Sequence, residues 1–207
     1  MALYIKTHKL LASVMAFSSA ASAQSITSTL TSVSPSESVR GTFDNGTVIN
    51  DKNFGLLNFS NADFEAFCAE PFQFINAGEA ITYQVAPATS YANADAVSKV
   101  ITAFKSSSMD SIQATGAQWA IWELVAESAG SYDITIAIDT PFADSVDGVV
   151  STAAQKYLDN YSSFASTDVT FLTNSTRQDM VTWSSVLEPS SALLCGFGLL
   201  ALARRRR

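Results

Sequence analysis

Cys68 and Gln118 are the two residues of this chain whose side chains could do covalent chemistry with each other. There are two cysteines. Cys195 lies in an apolar run near the C-terminus, so Cys68 is alone in the body of the chain. Without an internal disulfide partner it is either an inert buried thiol or a thiol with chemistry to do. Strand alternation in Phe64-Glu65-Ala66-Phe67-Cys68 puts Cys68 on the apolar side with Phe64 and Ala66. Gln118, at about 100° per helical residue, shares a face with Ile121, Trp122 and Val125, while Glu123 and Glu127 point away together. An amide in an apolar stripe costs free energy unless something satisfies it. A thiolate attacking that carboxamide would expel ammonia and leave an internal thioester, which could then acylate an incoming amine or hydroxyl. Trp119, Trp122 and Phe67 are placed to exclude water, and Glu70 or Glu123 to move protons. The residues leave an alternative open, in which Cys68 packs as a small hydrophobe and Gln118 bonds to backbone.

Other chemistries fare worse. His8 is the single histidine and falls in the N-terminal segment described below, which removes Ser-His-Asp and Cys-His arrangements. No Gly-rich phosphate loop and no D-x-D-x-D-G calcium loop is present, so neither a cofactor nor a metal is expected. Acidic residues are plentiful, but no spacing selects a glycosidase pair. The expectation is a protein that is not an enzyme. Residues 24–187 carry 6 basic and 18 acidic side chains, which argues against nucleic acid or an anionic membrane surface as partner.

The elements that would position the pair follow from periodicity. Residues 24–38 are Ser/Thr-rich and read as a flexible lead-in or first edge strand. Runs over 39–43 and 47–50 flank Asp44-Asn45-Gly46, a hairpin-turn signal, and strand patterns continue over 54–59, 64–69 and 81–85. Val97, Val100, Ile101 and Phe104 then fall on one helical face, with Asp95 and Lys99 four apart. A second helix is predicted over 112–127 and a third through Val149, Val150, Ala153, Ala154, Tyr157, Leu158 and Tyr161. Strand patterns return over 133–138, 169–172 and 179–183. The sum is an α+β domain with about three helices packed on one side of a mainly antiparallel sheet.

Both termini read as addressing segments. Lys6, His8 and Lys9 precede an apolar stretch over 10–20 and then Ala21-Ser22-Ala23, the order of a secretory signal peptide cleaved after Ala23. Residues 191–203 are unbroken by charge and Arg204, Arg205, Arg206 and Arg207 follow directly. Thirteen helical residues reach only about 20 Å. Snorkelling arginines, Trp183, Val186 and Leu187 would extend the span. The positive-inside rule keeps the arginines cytoplasmic and the body on the outer face. The division is signal peptide 1–23, domain 24–184 and tail 185–207.

Two resemblances add to this reading. Glu188-Pro189-Ser190, the apolar run and the arginine cluster resemble a PEP-CTERM sorting signal, with Leu187 where the first proline of the motif would stand. That resemblance implies export through the Sec machinery in a Gram-negative bacterium and a transient membrane anchor. It further implies processing by an exosortase-type membrane protease, often in strains that make exopolysaccharide, and a final place at the cell surface, in the outer envelope or in the medium. Phe67-Cys68-Ala69-Glu70, the stretch from Gly78 to Tyr83, Gln118-Trp119-Ala120-Ile121-Trp122-Glu123 and the late Gln178-Asp179-Met180-Val181 resemble a Cys-Gln thioester domain of bacterial surface adhesins. By that match Cys68 is the thiol and Gln118 the acyl donor; Glu70 stands where aspartate is more usual.

The functional expectation is therefore an exported surface or matrix protein attaching covalently, through a Cys68–Gln118 thioester, to an amine- or hydroxyl-bearing target. The alternative is a non-covalent structural protein of the envelope or exopolysaccharide, with Tyr83, Tyr91 and Tyr132 as aromatic residues that could stack on sugars. A third reading, ice binding, has only the alternating Thr27, Thr29 and Thr31 behind it.

Overall fold

The computed structural model describes residues 24–42, 48–61, 64–91, 93–126 and 145–183. The signal segment 1–23, the Asp44-Asn45-Gly46 turn, the strand expected over 133–138 with Tyr132, Glu127, and the whole tail from 184 lie outside the described residues. The sorting residues Glu188, Pro189, Ser190 and Arg204 to Arg207 fall in that tail. No helix among the described residues is long and apolar enough to cross a membrane.

The described chain is α+β, with six strands and three α-helices. The strands are β1 (Ser25–Thr42), β2 (Val48–Ser60), β3 (Phe64–Cys68), β4 (Ala80–Ala86), β5 (Thr170–Thr173) and β6 (Met180–Thr182). The helices are α1 (Ala94–Lys105), α2 (Ser111–Ala126) and α3 (Ser145–Asn160). The strands are antiparallel throughout and close into a barrel in the order β1-β2-β3-β6-β5-β4. The expected antiparallel sheet with three helices is thus present, with the sheet closed on itself. Closure comes from β1, which is long enough to serve two neighbours: Ser25–Thr29 pairs with β4, and the stretch from Thr29 to Thr42 with β2. The Ser/Thr-rich start is thus a doubly paired strand, because Ile26, Ser28 and Leu30 alternate inward beneath the exposed Ser25, Thr27 and Thr31. The two short strand runs after the turn signal form one strand, β2, whose pairing of Thr42 with Val48 makes the expected hairpin.

Alternation along the strands builds two cores. Phe64, Ala66 and Cys68 of β3 point to the barrel interior with Leu30, Phe59, Ile81, Tyr83, Leu172 and Met180. Phe67 and Ala69 point the other way, with Phe171 and Val181, against Val97, Ile101 and Phe104 of α1 and Ile121 and Leu124 of α2. Helix α2 lies between the cores: Trp119 and Trp122 belong to the first, Ala117, Ala120, Ile121 and Leu124 to the second. Burial on both sides explains why it is apolar nearly all round.

The helix ends are individually fixed. The Asp110 carboxylate accepts the Gln113 N–H at 2.9 Å, an N-cap for α2, and its pKa is lowered by the Ser108 hydroxyl first and this bond second. Asn93 Nδ2 donates to the Leu124 carbonyl at 2.5 Å, closing the other end. Lys99 and Asp95 form the expected i,i+4 ion pair at 2.7 Å on α1.

Helices α2 and α3 meet at Gly116, where an added Cβ would come within 2.8 Å of Ala153 Cβ and 3.1 Å of the Ala154 backbone nitrogen. Gly116→Val should therefore force α3 away and lower stability by about 1–3 kcal/mol, read from urea denaturation followed by circular dichroism.

Candidate functional site

Cys68 ends β3, and Gln118 sits in the first half of α2. Three anchors set the helix so that the glutamine faces the strand end. One turn before it, Thr115 Oγ1 donates to the Phe54 carbonyl at 2.5 Å and accepts the Glu37 N–H at 2.8 Å. The Ser111 hydroxyl bonds the Glu37 carboxylate. One turn after it, the Trp122 ring packs edge-on to Phe54 at 4.8 Å and to Trp119 at 5.4 Å.

The Gln118 carboxamide then bonds both main-chain groups of Cys68. Its Oε1 accepts the Cys68 N–H at 2.8 Å, and its Nε2 donates to the Cys68 carbonyl at 2.8 Å. The amide completes the strand end as a further strand would, which is how an amide is accommodated at 1 % exposure. The Cys68 thiol donates to the Glu70 carbonyl at 2.9 Å, and the Trp122 ring shares the cleft with the sulfur.

The sulfur and the carboxamide share one cleft of about 150 Å³. Its walls are apolar (Leu30, Phe54, Leu57, Trp122), the amides of Asn53, Asn76 and Gln178 also line it, and among the described residues no charged one does. Exposed Phe74 overhangs this cleft from the segment that follows β3.

Burial pushes the Cys68 thiol well above the ordinary cysteine range, outweighing the opposite influence of the Trp122 indole and the Glu70 backbone. At neutral pH the thiol is protonated, and attack requires that its proton leave as the sulfur moves. On the side away from the cleft, the Asp179 carboxylate accepts the Tyr91 hydroxyl at 2.6 Å and the Asn174 N–H at 2.8 Å, while its carbonyl takes the Ala69 N–H at 2.7 Å. Burial and then the Asp179 charge raise the pKa of Glu70, and a hydrogen bond from Gln73 offsets part of this.

The structure brings Cys68, Gln118, Trp119 and Trp122 into one core region, with Glu70 next to the thiol through its carbonyl. Glu123 departs from expectation: it is 5 % exposed, because the face it was expected to turn to solvent is covered as well. Ile121 likewise belongs to the second core and does not accompany Gln118. Phe67, being adjacent to Cys68 on the strand, faces away and packs edge-on to Phe104 and tilted against Trp183. Tyr83 is buried in the barrel, and Tyr91 lies flat on Phe171 at 3.9 Å, so neither ring offers an open face to a sugar. Gln178 was legible only as part of a motif; its place in the cleft and the Asp179–Tyr91 bond depend on the pairing of Cys68 with Met180. Among the described residues no cluster of ligating side chains could hold a metal ion. No protein-family model, no curated protein and no solved structure matches the chain.

Two outcomes follow. Gln118→Leu strands the buried N–H and carbonyl of Cys68 and should cost about 2–4 kcal/mol in urea denaturation. Glu70 has a folded-state pKa above its unfolded value, so any stability linked to its protonation is present at low pH and is lost as pH rises through that range. Glu70→Gln should accordingly raise Tm at pH 7, with the gain shrinking as pH approaches 4, seen by scanning fluorimetry.

Proposed function

We propose that Cys68 and Gln118 form an internal thioester through which this protein, exported and sorted by its PEP-CTERM-like tail, attaches covalently to a surface or matrix partner. The observation that carries the reading is the pair of 2.8 Å hydrogen bonds between the Gln118 carboxamide and the Cys68 main chain, at the mouth of a narrow apolar cleft.

That geometry supports each half of the chemistry. The Cys68 N–H already donates to Gln118 Oε1, where negative charge develops when sulfur adds to the carbonyl carbon. The Trp122 indole, which shares the cleft with the sulfur, favours the developing thiolate. As the S–C bond forms and the C–N bond breaks, the thiol proton passes to the departing nitrogen, which leaves as ammonia. At the outset that proton is held by the Glu70 main-chain carbonyl, 2.9 Å from the sulfur. An amine or hydroxyl that enters the cleft then adds to the same carbonyl. The C–S bond breaks, the nucleophile's proton goes to sulfur, and an amide or ester remains. Burial of Cys68 and Gln118 at 2 % and 1 % exposure keeps bulk water from competing.

A second reading rests on the same two bonds. A glutamine that satisfies a strand end, beside a thiol whose pKa burial has raised, is also a complete structural arrangement. In that case the body is a non-covalent envelope or matrix protein. Intact mass separates the two: the thioester protein is lighter by one ammonia, takes up methylamine at Gln118 and then exposes Cys68 to alkylation. Cys68→Ala should show the full mass and no uptake, and Trp122→Phe should slow uptake by about tenfold, as loss of the indole N–H beside a developing thiolate would. A full wild-type mass with no methylamine incorporation overturns the thioester.

A further inference from the structure

The helices cover only part of the barrel's outside. Phe67, Phe171 and Val181 lie beneath them together with Leu56 of β2, whereas the start of β1, most of β4 and the end of β5 form a contiguous outer face outside that core. Its outward positions include Thr27 and Thr31 of β1, Thr82 and Gln84 of β4, and Thr173 of β5, continued by Asn174. The register aligns them: Thr27 stands opposite Thr82, and Gln84 opposite Thr173. Every one carries a hydroxyl or an amide, and none carries a charge. The body has 18 acidic and 6 basic residues, so a stretch of hydroxyl and amide positions across three strands, with Asp179 as the carboxylate beside it, sets this surface apart.

The side chains are also pre-oriented. Thr27 and Thr82 share a hydroxyl–hydroxyl bond at 2.7 Å, Thr31 donates to the Asn58 carbonyl at 2.8 Å, and Asn174 Nδ2 donates to the Thr82 carbonyl at 2.9 Å. Part of this hydroxyl and amide capacity is spent within the sheet, and the remainder, donors and acceptors both, faces outward in rows about 4.8 Å apart. Such an array complements a ligand dense in hydroxyls, which donate and accept. A concavity of about 500 Å³ runs along it, lined by Thr82, Gln84, Thr173, Asn174, Ser175 and Asp179. That is within the roughly 300–1,000 Å³ of small-ligand sites. The Asp179 carboxylate, fixed by Tyr91 and the Asn174 N–H, adds a strong acceptor for hydroxyls and repels an anionic ligand. The threonine row is not a long flat repeat, since the β1–β2 register shifts between Leu30 and Ser32.

We infer that this face, on the outside of β1, β4 and β5, binds a neutral glycan chain through its hydroxyls. The inference stands apart from the thioester, whose cleft is lined by different residues. The test is affinity electrophoresis of the full chain in mild detergent, through gels containing dextran, mixed-linkage β-glucan, galactomannan or polygalacturonate. At least one neutral polymer should retard the protein, and polygalacturonate should not. Thr82→Glu with Gln84→Glu should weaken that retardation by about tenfold, the equivalent of one to two hydrogen bonds. Both side chains are exposed, so thermal unfolding should be unchanged; Thr82→Ala, which adds no charge, gives a second measure of the lost acceptor. Cys68→Ala should bind as wild type does. Absence of retardation by every neutral polymer overturns the inference. So does equal retardation by polygalacturonate, or glutamate variants that bind unchanged.

Discussion

The Gln118 carboxamide on the main chain of Cys68 is the contact on which the site depends. It joins the last residue of a barrel strand to a helix that comes much later in the chain, and it does so with an amide buried in an apolar setting. A buried amide makes two demands: a donor for its oxygen and an acceptor for its nitrogen. The strand end makes the complementary demands, since its main-chain groups on that side have no further strand to meet. Each solves the other's problem. The same pairing holds the carboxamide next to the residue that bears the thiol.

The surrounding elements serve that contact. Helix α2 is tied to β1 and β2 through Thr115, capped by Asp110 at one end and by Asn93 at the other, and wedged between two cores. A helix held on several sides cannot slide along its axis without breaking several bonds together, so Gln118 has little freedom of position. Barrel closure does the same for Cys68. β3 is short, but β2 on one side and β6 on the other set its register.

Burial acts on reactivity in two directions. It raises the pKa of the Cys68 thiol and so opposes the nucleophilic form, while it protects any acyl bond at that position from water. The Trp122 indole beside the sulfur and the Cys68 N–H on Gln118 Oε1 favour the charged species along the proposed reaction path and leave the resting thiol neutral. A site of this kind is quiet at rest and depends on local proton transfer to react.

By itself the sequence determined the local elements and the identity of the pair. The inward side of β3, the extent of α2 to within a residue or two, the Asp95–Lys99 pair and the presence of an amide on an apolar helix were legible, because alternation and helical periodicity are properties of neighbouring residues. Tertiary structure alone decided whatever depended on distant segments. A pattern of polar and apolar positions cannot tell a helix with one exposed face from one with two buried sides, which is why Glu123 was expected outside and lies within. Nor can it show that a Ser/Thr-rich leading segment pairs on both edges, since β1 finds β4 only when the barrel closes. The placement of Gln178 in the cleft, of Asp179 on Tyr91, and of the Gln118 amide on the Cys68 backbone belongs to the same class. These contacts are long-range pairings, and their geometry exists only once every strand has its neighbour.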